Sequence, residues 1–200
     1  MISEEKFMKN LKFLDMLKIR ASYGEIGNDQ IGDEWDTSRR WLYMSQWAYG
    51  GTIKTGSYNV DSPYKWYREN TVGNENIHWE TVRKLNIGVD YSFLNGLIAG
   101  SVEIFRDKRR DVLVSGGDRS TPSYFGGITT APWANLGKVN TNGYEIELRL
   151  NKVFRNGLRL WANMNMTHAK DKIIERDEGQ LLPGYQKQAG KPIGQTNTYV

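Results

Sequence analysis

Cysteine is absent from the 200 residues, which excludes disulfides, thiolate metal sites and cysteine nucleophiles together. Long apolar runs are missing as well. A membrane-spanning helix needs about 20 predominantly apolar residues in a row, and no stretch approaches that. Apolar residues make up only 38% of the chain against 25% charged, a small share for a thick soluble core. Aromatics, at 12%, are nonetheless too frequent for a disordered chain. A folded wall with a single apolar face has such a composition. The net charge of +4 is modest and spread out, without the dense basic face that nucleic-acid binding requires. The opening MISEEKFMKN mixes acids with lysines and does not read as a signal peptide.

Catalytic groups are equally scarce. The only histidines, His78 and His168, each stand beside a predicted strand end and read as loop or interfacial residues. Asp107 with Asp111 and Glu145 with Glu147 are the candidate carboxylate pairs, but strand alternation alone puts Glu145 and Glu147 on one face. A polar wall explains them more simply than glycoside hydrolysis. There is no phosphate-cradling glycine motif and no nucleophile elbow. The chain reads as a non-enzyme with no cofactor.

What is present is period-two alternation, the mark of strands with two different faces. From Lys84 to Phe93, Leu85, Ile87, Val89, Tyr91 and Phe93 share one face, and Lys84, Asn86, Gly88, Asp90 and Ser92 the other. Asn95-Gly96 follows, a strong hairpin signal. With those two as the turn, Tyr91 meets Gly100, Val89 meets Val102, and Lys84 meets Asp107. The pattern recurs at Leu17–Tyr23, Leu97–Asp107, Tyr144–Asn151 and Leu158–Thr167. Five antiparallel strands are expected near 16–25, 80–94, 97–111, 136–151 and 157–170. A short helix is expected over Glu4–Leu14.

Connections alternate in length. Asn95-Gly96 and Lys152–Gly157 are short, whereas Glu25–Glu80, Val112–Leu136 and Ala169–Val200 are long. Compact soluble domains rarely keep several structureless loops of that size. Outer-membrane barrels do, with short turns on the periplasmic side and long loops outside. Tyr91 and Phe93 near a short turn, with Tyr23 and Tyr144 near the long loops, match two interfacial girdles. A soluble sandwich also alternates, so a carbohydrate-binding β-sandwich module using loop tryptophans stands as the alternative.

The first long loop holds Trp35, Trp41, Tyr43, Trp47, Tyr49, Tyr58, Tyr64, Trp66, Tyr67 and Trp79. Flat rings stack on sugar rings or apolar peptide side chains at little loss of rotamer freedom. Trp41, Trp47, Trp66 and Tyr67 are the candidate ligand contacts; packing within the loop or against a partner is the other reading. Arg106, Lys108, Arg109 and Arg110 form a basic run where a strand would leave a membrane. That run is either a solvated charge cluster or a contact for anionic lipid headgroups.

Four blocks carry a family resemblance: LKIRASYGEIGN (17–28), WETVRKLNIGVDYSFL (79–94) with the NG turn and GSVEIF after it, NLGKVNTNGYEIELRL (135–150), and NMNMTHAKDKI (163–173). In this order they resemble the barrel domain of SusC/RagA-type TonB-linked outer-membrane receptors. The resemblance implies an all-β antiparallel meander, here an incomplete section of a large transmembrane β-barrel with long extracellular loops. It implies location in the cell outer membrane and energy-coupled import of oligosaccharides or peptides. A SusD-like surface lipoprotein, the TonB complex and outer-membrane lipid are the implied partners. The implied plug, TonB-contacting segment and signal peptide have no counterpart in residues 1–200. No ligand-contacting residue carries over from the family.

Overall fold

The computed structural model describes residues 2–5, 8, 11, 13–29, 40–53, 64–121 and 131–196. Five long strands form one antiparallel sheet: β1 (Leu14–Asn28), β4 (Glu80–Phe93), β5 (Ile98–Val114), β6 (Ala134–Val153) and β7 (Arg159–Glu175), in the order β1-β4-β5-β6-β7. Between β1 and β4, β2 (Gln46–Thr52) and β3 (Lys65–Thr71) form a separate antiparallel hairpin.

All five expected strands are present; β4 starts at Glu80 as expected, and the other four extend farther toward the long connections, β1 to Asn28, β5 to Val114, β6 back to Ala134 and β7 to Glu175. The hairpin corrects the expectation that Glu25–Glu80 is a plain loop. Its strands are rich in aromatic residues, which favour extended pairing. Gly50-Gly51 and register shifts at Gln46/Trp47 and Tyr49/Gly51 break the alternation that would have announced it. The helix expected over Glu4–Leu14 is not formed among the described residues. A 3₁₀ turn occupies Ile2–Glu4, and Leu14 already opens β1. Residues 6, 7, 9, 10 and 12 of that span lie outside the described residues.

The central hairpin has the expected register. Phe93 pairs with Ile98, Tyr91 with Gly100, Val89 with Val102, Ile87 with Ile104 and Lys84 with Asp107. Asn95 and Gly96 have φ of 58° and 75°, and the Leu97 amide donates to the Leu94 carbonyl at 3.3 Å. Leu94 is also left-handed, at φ 57°. Asp15, at the β1 irregularity between Leu14 and Met16, holds the turn by accepting from the Gly96 amide at 2.9 Å. The β6–β7 turn closes at the same end of the sheet, where the Asn151 amide donates to the Leu97 carbonyl. All long connections leave from the other end.

No second sheet packs on this one among the described residues, and the buried apolar residues are just Val114 and Ile173. A sandwich buries the facing sides of two sheets. The described residues therefore form an open wall.

Candidate functional site

The register sorts the wall into rows of five residues, one per strand. On one face run Leu17–Tyr91–Gly100–Leu148–Met164, Ile19–Val89–Val102–Ile146–Met166 and Ala21–Ile87–Ile104–Tyr144–His168. Toward the long connections this face turns polar within two rows: Tyr23–Leu85–Arg106–Asn142–Lys170, then Glu25–Arg83–Lys108–Asn140–Lys172. The other face inverts the sequence. Its rows are polar from Lys18–Asp90–Ser101–Glu147–Asn165 to Gly24–Lys84–Asp107–Thr141–Asp171, apart from Phe105, Gly143 and Ala169 in the Ser22–Asn86 row between them. They become mostly apolar at Ile26–Val82–Arg109–Val139–Ile173. The hydrophobic side of the wall thus changes over along the strands.

On the polar face a charge network crosses three strands. Arg20 clamps Asp90 with two bonds, Nε to Oδ2 at 2.9 Å and Nη2 to Oδ1 at 2.7 Å. The same Nη2 donates to Glu103 Oε1 at 2.6 Å, and Asn86 donates to Glu103 Oε2 at 3.0 Å. Gly88 lies under the guanidinium; a Cβ there would come within 3.3 Å of Arg20 Nη2. The missing side chain is what lets Arg20 reach over β4 to β5. This network is absent from the sequence reading, because β1 and β4 are separated by a connection whose register no local signal sets. Beyond it, Glu147 pairs with Arg149 at 2.7 Å, and Lys84 lies 3.7 Å from Asp107.

The carboxylate candidates do not assemble as catalytic pairs. Asp107 faces Lys84, and Asp111 sits at the β5 irregularity with φ 58°. Glu145 and Glu147 do share the polar face, opposite Glu103 and Ser101. His168 packs against Tyr144 on the apolar face, ring centroids 5.4 Å apart. His78 lies outside the strands, with Nδ1 2.8 Å from the Asn76 carbonyl.

The candidate aromatic contacts separate. Trp47, Tyr49 and Tyr67 share one face of the β2–β3 hairpin, and Tyr49 meets Tyr67 edge-on at 5.8 Å. Trp47 and Tyr67 are both more than 60% exposed. Trp66 lies on the opposite face over Gly50, where a Cβ would fall 2.5 Å from its ring. Trp41 stands before β2 against Tyr43, at 6.0 Å. Trp35 and Tyr58 lie outside the described residues. The hairpin base is tied to the wall. Asn74 donates to the Trp133 carbonyl at 2.7 Å, and Asn135 accepts from the His78 amide while donating to the His78 carbonyl.

The basic run also divides by strand parity. Arg106, Lys108 and Arg110 share the face that carries the apolar rows, whereas Arg109 stands among Val82 and Val139 on the other.

Residues 10–199 match the family model described as "TonB dependent receptor-like, beta-barrel". A TonB-dependent receptor of Formosa agariphila is 29% identical over 99% of this chain, and SusC of Bacteroides thetaiotaomicron is 26% identical over 98%. The chain spans 17% and 18% of those two proteins, respectively. Among solved structures, the RagAB peptide transporter superposes with a TM-score of 0.67 at 19% identity, over 93% of this chain and 19% of that one. The "open-open" state of the RagAB peptide importer gives 0.68 at 20% identity, over 90% of this chain and 18% of that one.

Proposed function

The chain belongs to the TonB-dependent receptor β-barrel family, and from that membership we propose that it forms one side of the wall of an outer-membrane nutrient importer. The observation that carries this reading is the changeover of the hydrophobic face. Hydrocarbon requires an apolar band on the outside of a barrel wall and tolerates a polar lumen behind it. Above the membrane the outside is wet, and the inside can be packed by loops. From Phe93 to Ile87, the last mostly apolar row, the apolar face covers about 20 Å of strand at about 3.4 Å per residue. A tilt of about 40° leaves about 16 Å of height, or about 21 Å with the bordering Tyr23–Leu85 row, against an apolar band of about 25 Å in such barrels. Lys84, Asp90 and the Arg20 network then line the lumen.

The cargo we assign is oligosaccharide or peptide. Support comes from the resemblance to SusC and to a peptide importer, and from aromatic rings exposed at the long-connection end. Trp41, Trp47, Trp66 and Tyr67 are the proposed contacts. Trp47 and Tyr67 are the stronger pair, because both are exposed on one face, whereas Trp66 packs on Gly50. A SusD-like lipoprotein over this mouth and coupling to TonB belong to the same proposal.

Topology is the direct test. In the intact receptor on whole cells, Asn70→Cys in β3 is expected to label with a membrane-impermeant thiol reagent. Arg155→Cys in the β6–β7 turn is expected to stay unlabelled until the cells are opened. The reverse pattern overturns the orientation. For the rings, Trp47→Ala with Tyr67→Ala is expected to weaken cargo binding by about tenfold; unchanged affinity removes them from the site.

A further inference from the structure

We propose that Arg83, Arg106, Lys108 and Arg110 form a docking site for the phosphate groups of an anionic glycolipid in the outer leaflet. This rests on the wall reading above and adds a ligand to its outer surface. The four cations and Tyr23 and Leu85 line a shallow concavity of about 190 Å³. Arg83 stands directly opposite Lys108 across the β4–β5 pair. Arg106, Lys108 and Arg110 recur at every second position, about 7 Å apart along β5. Like charges placed opposite one another destabilise a sheet. Among the described residues, the one carboxylate paired with any of the four is Glu25, 2.7 Å from Arg83. Arg106, Lys108 and Arg110 have no carboxylate partner among the described residues.

Placement selects the lipid. The cluster begins one row beyond Ala21–Ile87–Ile104–Tyr144–His168, the last row of the apolar band, and on the same face. Tyr23, 70% exposed, and Leu85 form its edge toward that band. A ligand seated here has its anionic head among guanidinium groups and its apolar part along the band. Arginine grips phosphate oxygens in pairs, and a fixed lysine adds a compact charge. Lys170 and Lys172 occupy the same two rows on β7 and extend the belt sideways.

The test uses the intact receptor in nanodiscs of zwitterionic phosphatidylcholine doped with bis-phosphorylated lipid A, with retained lipid read by native mass spectrometry after detergent exchange. Arg106→Gln with Lys108→Gln and Arg110→Gln is expected to weaken retention about a hundredfold. Arg106→Lys with Arg110→Lys, which keeps the charge, is expected to keep most of it. Arg109→Gln, in the same run but on the other face, is expected to change nothing. Equal retention by the triple variant, or of lipid A stripped of its phosphates, overturns the site. Displacement of lipid A by inorganic pyrophosphate at equal concentration overturns the lipid as its occupant. Heat-modifiable gel migration reports that each variant is folded. A receptor that dissolves as a monomer without detergent would instead refute the wall reading itself.

Discussion

At the residue scale, glycine and aromatic residues meet across strands on both faces. On the apolar face Tyr91 pairs with Gly100, and a Cβ there would fall 2.0 Å from the Glu147 carbonyl oxygen and 2.8 Å from the Tyr91 hydroxyl. On the polar face Phe105 pairs with Gly143, where a Cβ would fall 2.3 Å from the ring and 2.5 Å from the His168 carbonyl. An aromatic ring fills the gap that a strand glycine leaves. Gly143→Ala is therefore expected to destabilise the intact receptor by about 1–3 kcal/mol through overpacking, read as a lower urea midpoint in detergent micelles. Adding Phe105→Leu is expected to restore only part of the loss, because the His168 carbonyl remains. The first pair is legible in the sequence, since a two-residue Asn-Gly turn dictates it. The second is not, because β5 and β6 are joined by a long connection that sets no register. The Arg20 network is hidden for the same reason, although Arg20, Asp90 and Glu103 each fall at a polar position of the alternation.

At the element scale, the connections are braced where they leave the wall. Arg119 donates to Asp177 at 3.0 Å and to the Pro132 carbonyl at 2.9 Å, and Ser120 donates to the other Asp177 oxygen. Arg176 lies 3.3 Å from Asp118. These contacts join the β5–β6 connection to the chain after β7. Burial alone would raise the Asp177 pKa, but hydrogen bonds from Ser120 and Arg119 outweigh it and hold the carboxyl below the ordinary aspartate range. A depressed folded-state pKa stabilises the brace above the unfolded value of about 3.9, and that contribution disappears as pH falls through the folded value. Hydrogen exchange over residues 115–121 is thus expected to stay flat from neutral pH down to about 5 after correction for intrinsic rates, and to rise below about 3.9. Asp177→Asn is expected to raise exchange at neutral pH and flatten the acid dependence. The strands that anchor this brace are legible from alternation. The brace itself is not, because its partners lie more than 50 residues apart in connections without periodicity. The β2–β3 hairpin escapes sequence reading for a different reason: its glycines and bulges erase the period that identifies a strand.

At the scale of the whole molecule, the open sheet decides how these residues behave alone. Hydrocarbon-facing sheets must close, because each unpaired backbone group there costs several kcal/mol, and single-chain barrels of this type have about eight strands or more. β1 and β7 are the edges, 15 and 17 residues long. Near its upper end β7 is partly covered by its own chain, since the Gly190 amide donates to the Ile173 carbonyl and the Ile173 amide to the Lys191 carbonyl. From Arg159 to Lys170 it is exposed throughout, with Leu160, Met164 and Met166 each more than half accessible. On β1, Ile19 and Tyr23 are equally open. A long, flat edge beside an apolar face is a template for pairing with another copy. A chain of residues 1–200 is therefore expected to aggregate or remain unfolded in buffer, and to gain strand content only with detergent micelles or lipid. Sedimentation and far-ultraviolet circular dichroism with and without micelles read both halves of that expectation. A monomeric species with a sharp, reversible melt in plain buffer would show that the apolar face is covered in some way other than by lipid and neighbouring strands, and the wall reading would fall with it.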